Sequence, residues 1–91
     1  MKINEEELLY YLNREYEKLE KIFKDIKFKD KRFENFILAY YKDFLYFYNS
    51  KDYVKAFELE NYIWGMLDIL INLDLIEVKE EYKKWFKLFT V

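Results

Sequence analysis

The sequence predicts an all-α fold, a three-helix up-and-down bundle followed by a short fourth helix at the C-terminus. Apolar side chains recur at helical spacing in three long segments, each segment starts at a residue that caps helices well, and the connections between segments are short. Short connections force consecutive helices to pack antiparallel. We expect a single domain over residues 1–91 and no β-sheet. The three helical segments are 4–26, 31–49 and 53–73.

The first helix starts at Asn4, where Glu7 three residues later completes a capping box. Its apolar stripe is narrow, so we expect the helix to pack on one side only. Glu15 falls inside that stripe, and we interpret it as a boundary carboxylate that reaches water rather than as a buried functional acid. The stripe consists of Leu8, Leu12, Leu19, Ile22, Phe23 and Ile26.

The second helix starts after Asp30 and ends at Asn49, because Asn tolerates the left-handed conformation that closes a helix. The segment before it, 24–32, places basic residues around Phe28. This pattern is found in nucleic-acid-binding proteins and also in ordinary solvated loops. We favour the loop, because Asp25 and Asp30 dilute the positive charge.

The third helix is the most apolar of the three and needs cover on two sides. One broad apolar face runs from Tyr53 to Ile71. We expect the segment from Val78 to Phe89, which has its own helical stripe, to fold back over the second face, either on its own chain or on a twin chain. That second face consists of Leu59, Tyr62, Met66, Ile69 and Leu73.

A polar strip on the third helix contains Gly65, the only glycine of the chain. Glycine in the middle of a helix costs about 1 kcal/mol relative to Ala. We expect another helix to approach Gly65 closely, and the alternative is a ligand or partner lying along the strip. The candidate partner surface joins this strip to neighbouring apolar residues: Glu58, Asn61, Gly65, Asp68, Asn72, Tyr62, Met66 and Ile69.

The third helix also carries a resemblance to a known family. The runs Asp-Tyr-Val-Lys-Ala-Phe-Glu, Asn-Tyr-Ile-Trp-Gly-Met-Leu-Asp and Leu-Asp-Leu, within residues 40–78, resemble the signature of domain of unknown function 357, an archaeal family of small helical proteins. The resemblance implies a three-helix up-and-down bundle and brings no assigned activity. The sequence departs from the family pattern at Lys51 and Asp74, where the family has Gly, and at Met66, where it has Trp.

The composition argues against catalysis. The chain has no Cys and no His, which excludes disulfides, thiolate chemistry, the usual zinc sites and imidazole catalysis. Glu58 and Asp68 lie about 15 Å apart along a helix, so they cannot act as a carboxylate pair. We therefore expect no enzyme, no cofactor and no metal.

The remaining hypotheses are binding functions. Aromatic residues make up 23% of the chain, more than a domain of this size can bury, so aromatic surface is left for a partner. We expect a protein-interaction or self-association module, with an unknown protein partner or a homodimer.

The alternative is an RNA-binding helical domain without nuclease activity. The helical hairpin resembles tetratricopeptide units and HEPN-type domains, but HEPN nucleases use an Arg followed closely by His, and this chain has no His. A net charge of −2 does not suit a polyanion, so we do not expect nucleic acid. The sequence has no membrane-length apolar run and no signal-peptide core, which predicts a cytoplasmic protein.

Overall fold

The computed structural model describes residues 4–89, which form a bundle of three long helices followed by a six-residue 3-10 helix, Glu80–Trp85. The all-α fold class is confirmed, and each long helix lies within one residue of its predicted bounds. The long helices are α1, Glu5–Asp25; α2, Lys31–Asn49; and α3, Tyr53–Asn72.

The side chains of the three predicted capping residues start these helices. Asn4, Asp30 and Asp52 each accept a hydrogen bond from a backbone N–H two or three residues further on, at 2.8, 2.8 and 3.3 Å. Each bond satisfies an amide that has no partner within its helix. The helix starts were predictable because capping depends only on residues close in sequence.

The C-terminal ends of α2 and α3 share one hydrogen-bond pattern. Lys51 and Asp74 adopt left-handed backbone conformations, with φ of 66° and 60°. The amide after each of them bonds the carbonyl five residues earlier, at 2.9 Å in both cases, which is the Schellman motif. The expectation that Asn49 takes the left-handed conformation is therefore wrong, since Asn49 is the last helical residue and Lys51 closes the helix.

The core lies where the three helices meet. Aromatic rings join α1 to α2: Tyr16 stacks on Tyr48 at 4.5 Å between ring centroids, and Phe23 stacks on Tyr41 at 4.1 Å. These pairs show that α1 and α2 run antiparallel, because later residues of α1 meet earlier residues of α2. The largest fully buried side chains are Leu12, Leu19, Ile22, Ile37, Phe44, Ile63 and Leu67.

A pair of very short strands joins the connections at one end of the bundle. Strand β1, Lys27–Phe28, pairs antiparallel with strand β2, Ile76–Glu77. We expected no β-sheet, and that expectation is wrong at this point. Because α1 and α3 run parallel, the segments that follow them emerge side by side, and their backbone groups pair with each other. Ile76 is buried by this pairing and extends the core.

Candidate interaction surface

The exposed side of α3 and the first turns of α2 form an open groove of about 950 Å³, which we call the α2–α3 groove. Three of its side chains are more than half exposed: Phe36, Tyr62 and Ile69. Glu58 is the only charged residue in its lining, so the surface is mainly apolar. The lining residues are Phe33, Phe36, Ile37, Phe57, Glu58, Asn61, Tyr62, Gly65, Met66, Ile69 and Leu70.

Six of the eight candidate partner residues lie in the α2–α3 groove. Gly65 is exposed there, and among the described residues, apart from Gly65, its two chain neighbours and the adjoining α3 backbone, no atom lies within 4 Å of the position that a Cβ would occupy. The expectation that another helix of the chain packs against Gly65 is therefore wrong. The alternative, a ligand or partner along the strip, is compatible with the open space.

The other two candidate residues, Asp68 and Asn72, hold the C-terminal segment. The Asp68 carboxylate accepts from the Lys87 backbone N–H at 3.0 Å. The Asn72 side-chain amide donates to the Lys87 carbonyl at 2.8 Å and accepts from the Phe89 N–H at 2.6 Å. Asn72 therefore bonds the extended backbone as a neighbouring β-strand does.

The C-terminal segment docks on its own chain, but the predicted docking face is wrong. Phe86 is buried with its ring centroid 5.4 Å from that of Trp64, on the side of α3 away from Tyr62 and Ile69. The backbone is extended at Phe86 and lies in no helix or strand over residues 87–89, so its polar groups there need partners. Asp68 and Asn72 provide these hydrogen-bond partners, whereas the aliphatic side chains of the second face of α3 cannot form hydrogen bonds.

Glu60 is a buried acid that sequence reasoning missed. Glu60 is only 3% exposed, and burial raises the pKa of its carboxyl to about 7, with a further contribution from the negative charge of Glu15. The positive charges of Arg14 and Lys18 lower the pKa of the same carboxyl, but by less. The signal was present in the sequence, because Glu60 falls at the centre of the main apolar face of α3.

Glu15 lies at the boundary of the core, as predicted, but reaches water less than expected. Its side chain is 14% exposed and pairs with Arg14 at 3.1 Å and Lys18 at 3.5 Å. Glu15, Arg14 and Lys18 on α1 are therefore close enough to Glu60 on α3 for their charges to shift the pKa of its carboxyl. Glu60 does not line the α2–α3 groove, so its carboxyl is not presented to a molecule bound there.

Two of the five basic residues of segment 24–32 pair with carboxylates. Arg32 contacts Asp30 at 2.7 Å, and Lys29 contacts Asp74 at 3.0 Å. The segment contains β1 and the cap of α2, so it has a structural role as the connection between helices. These pairs reduce the positive charge that a nucleic acid would meet.

Comparison with protein-family models, with curated proteins and with solved structures finds no match. Within residues 4–89, no helix is long and apolar enough to cross a membrane. The same residues contain no cluster of three or more His, Cys, Asp or Glu side chains able to hold a metal ion.

Proposed function

We propose that this chain is a non-catalytic protein-interaction module whose working surface is the α2–α3 groove. The observation that carries the proposal is the concentration of exposed apolar side chains along one face of α3, with Glu58 as the only charge among the lining residues. Contiguous apolar surface of this kind marks protein interaction sites in soluble proteins.

The chemistry of the groove suits a dry contact with another protein. Tyr62 and Phe36 are large, rigid side chains of the type that dominates binding energy at interfaces, and Ile69 and Met66 extend the apolar surface between them. Complete burial of such a side chain contributes roughly 1.5 to 3 kcal/mol. Covering the exposed halves of several of them supplies several kcal/mol of association energy.

RNA binding without cleavage is the second candidate, and the structure favours it less. The groove lining contains no Lys or Arg, and a single-strand RNA site needs cations beside its stacking rings. Two of the cations near Phe28, Lys29 and Arg32, are paired with Asp74 and Asp30. The cytoplasmic location expected from the sequence stays a prediction.

The resemblance to domain of unknown function 357 is part of the proposal. The family has Gly at positions 51 and 74, and Lys51 and Asp74 are the non-glycine residues with positive φ among residues 4–89. Gly is the residue that adopts this conformation at least cost, so the agreement of position supports the resemblance. It brings no activity with it, in keeping with a binding module.

Site-specific photo-crosslinking in cells of the native host tests the proposed function. Tyr62 is replaced by p-benzoylphenylalanine, and the matched control carries the same replacement at Tyr10, a similarly exposed tyrosine on α1. We expect one identified protein to crosslink at position 62 and not at position 10. Binding of that purified protein to the chain should then be lost with Ile69→Glu. RNA crosslinked at position 62 supports the alternative, and equal crosslinking at both positions contradicts both functions.

A further inference from the structure

We propose that the occupant of the α2–α3 groove is a second copy of this chain, with the two α3 helices crossing antiparallel at Gly65. This inference rests on the proposed function, because it names the partner of the same surface. Three properties of the groove carry it: its shape, its apolar area and the placement of charge at its two ends.

The shape of the groove permits a close twofold contact. Gly65 is a recess, because no atom of the described residues from outside its own part of α3 lies near the missing Cβ, and Tyr62 and Ile69 project on either side of it, at 64% and 53% exposure. In a twofold contact each pair of residues meets twice, once on each side of the axis. An antiparallel crossing at Gly65 brings the two recesses together and places Tyr62 of each copy opposite Ile69 of the other. The glycine lets the two helix axes approach closely.

The apolar area matches the requirement of a stable dimer. Five neighbouring side chains on this face are each 37% to 64% exposed: Phe33, Phe36, Tyr62, Ile69 and Leu73. Their exposed parts amount to roughly 500 Å² per copy, since a large side chain offers about 200 Å². A standard interface covers about 800 Å² per partner, of which about 65% is apolar in homodimers. The patch therefore supplies nearly the whole apolar share, and polar residues around it form the rim.

Charge placement favours the antiparallel arrangement. Glu58 lies seven residues before Gly65, about 10 Å along the helix axis. In an antiparallel pair the two Glu58 side chains are therefore about 20 Å apart, well beyond the Debye length of about 8 Å. Each Glu58 then faces the N-terminal end of α2 in the other copy, where the helix dipole is positive and the charges of Lys31 and Arg32 are balanced by Asp30 and Glu34. A parallel pair would place the two carboxylates together.

Sedimentation velocity on the full chain from about 1 μM to about 1 mM tests the proposal. We expect a reversible monomer–dimer equilibrium that Ile69→Glu abolishes. Val54→Glu is the matched control, because Val54 is a β-branched residue of α3 with similar exposure, 61%, outside the groove. Gly65→Leu should raise the dimer Kd about tenfold or more while the melting temperature of the monomer stays the same or rises. If Gly65→Leu weakens the dimer without lowering the melting temperature of the monomer, unfolding is not the cause of the weaker association.

Two results overturn the second-copy proposal. One is a chain that stays monomeric over the whole concentration range, and the other is equal weakening of the dimer by Ile69→Glu and Val54→Glu. Crosslinking at position 62 separates this failure from failure of the proposed function. A different protein captured there refutes the second copy alone, whereas the absence of any crosslink specific to position 62 refutes the interaction surface itself.

Discussion

Replacing Glu60 with Gln should stabilise the protein above neutral pH and have little effect in acid. The buried carboxyl of Glu60 has its pKa raised from an ordinary value of 4.5 to about 7, first by burial and then by the charge of Glu15. Below pH 4.5 the group is protonated in both the folded and the unfolded chain. As the pH rises from 4.5 to about 7 the unfolded chain loses this proton first, so the folded state binds more protons and the free energy of unfolding falls. Gln keeps the shape of the neutral acid and removes this loss.

The magnitude follows from the size of the pKa shift. A rise from 4.5 to about 7 corresponds to about 3 kcal/mol of lost stability at high pH, since one pKa unit is about 1.4 kcal/mol. For a domain of this length, that difference changes Tm by more than about 10 °C. Chemical denaturation followed by circular dichroism at a series of pH values between about 4 and 8 measures it directly.

Glu58→Gln is the matched control for Glu60→Gln, because Glu58 is an exposed carboxylate two residues earlier on the same helix. We expect its stability curve to run parallel to that of the wild type. Glu15→Gln should partly reduce the pH dependence, because it removes the charge that adds to burial. If Glu60→Gln shows the same pH dependence as the wild type between about pH 5 and pH 8, Glu60 is not the group whose raised pKa lowers stability.

Three further substitutions test separate features of the fold. Gly65→Ala should raise the free energy of unfolding of the monomer by about 1 kcal/mol in urea denaturation, because the Cβ enters open space. A loss of stability would mean that the space is filled. Lys51→Gly should stabilise the protein by about 1 kcal/mol, because it removes a non-glycine residue from a left-handed backbone conformation. Lys42→Gly, within α2, should destabilise the protein by about the same amount. If both substitutions changed stability in the same direction, the left-handed conformation of Lys51 would be contradicted. Asn72→Ala should speed hydrogen exchange of the C-terminal amides and cost about 1 to 3 kcal/mol, whereas Asn61→Ala, which loses only a bond to the Phe57 carbonyl, should leave that exchange unchanged.

The helices were predictable because their signals are local. Capping residues and the spacing of apolar side chains define where each helix starts and which of its faces is apolar, and both depend on residues within a turn or two. The C-terminal ends were less predictable. The left-handed position of a helix end usually carries Gly, but here Lys51 and Asp74 occupy it, and only the family resemblance drew attention to these positions.

The features that were not predicted depend on contacts between distant segments. The pairing of β1 with β2 follows from where α1 and α3 end in space, which periodicity does not describe. The helical spacing of apolar residues puts Glu60 on the main apolar face of α3, but it does not show that the charge of Glu15 on α1 acts on it. The docking face of the C-terminal segment does not follow from apolar stripes, because polar side chains of Asp68 and Asn72 bond its backbone.

The two halves of the polar strip on α3 are suited to different kinds of occupant. Asp68 and Asn72, four residues apart, offer side-chain oxygens and an amide that bond an extended backbone, and the C-terminal segment uses them. The pair seven residues earlier, which lines the groove, is Asn61 and Gly65, where the second position has no side chain. An extended strand in the α2–α3 groove would therefore leave backbone groups without partners, which is costly in a dry interface. A helix satisfies its own backbone and contributes only side chains, so the groove is suited to a helix, and the α3 of a second copy meets this requirement.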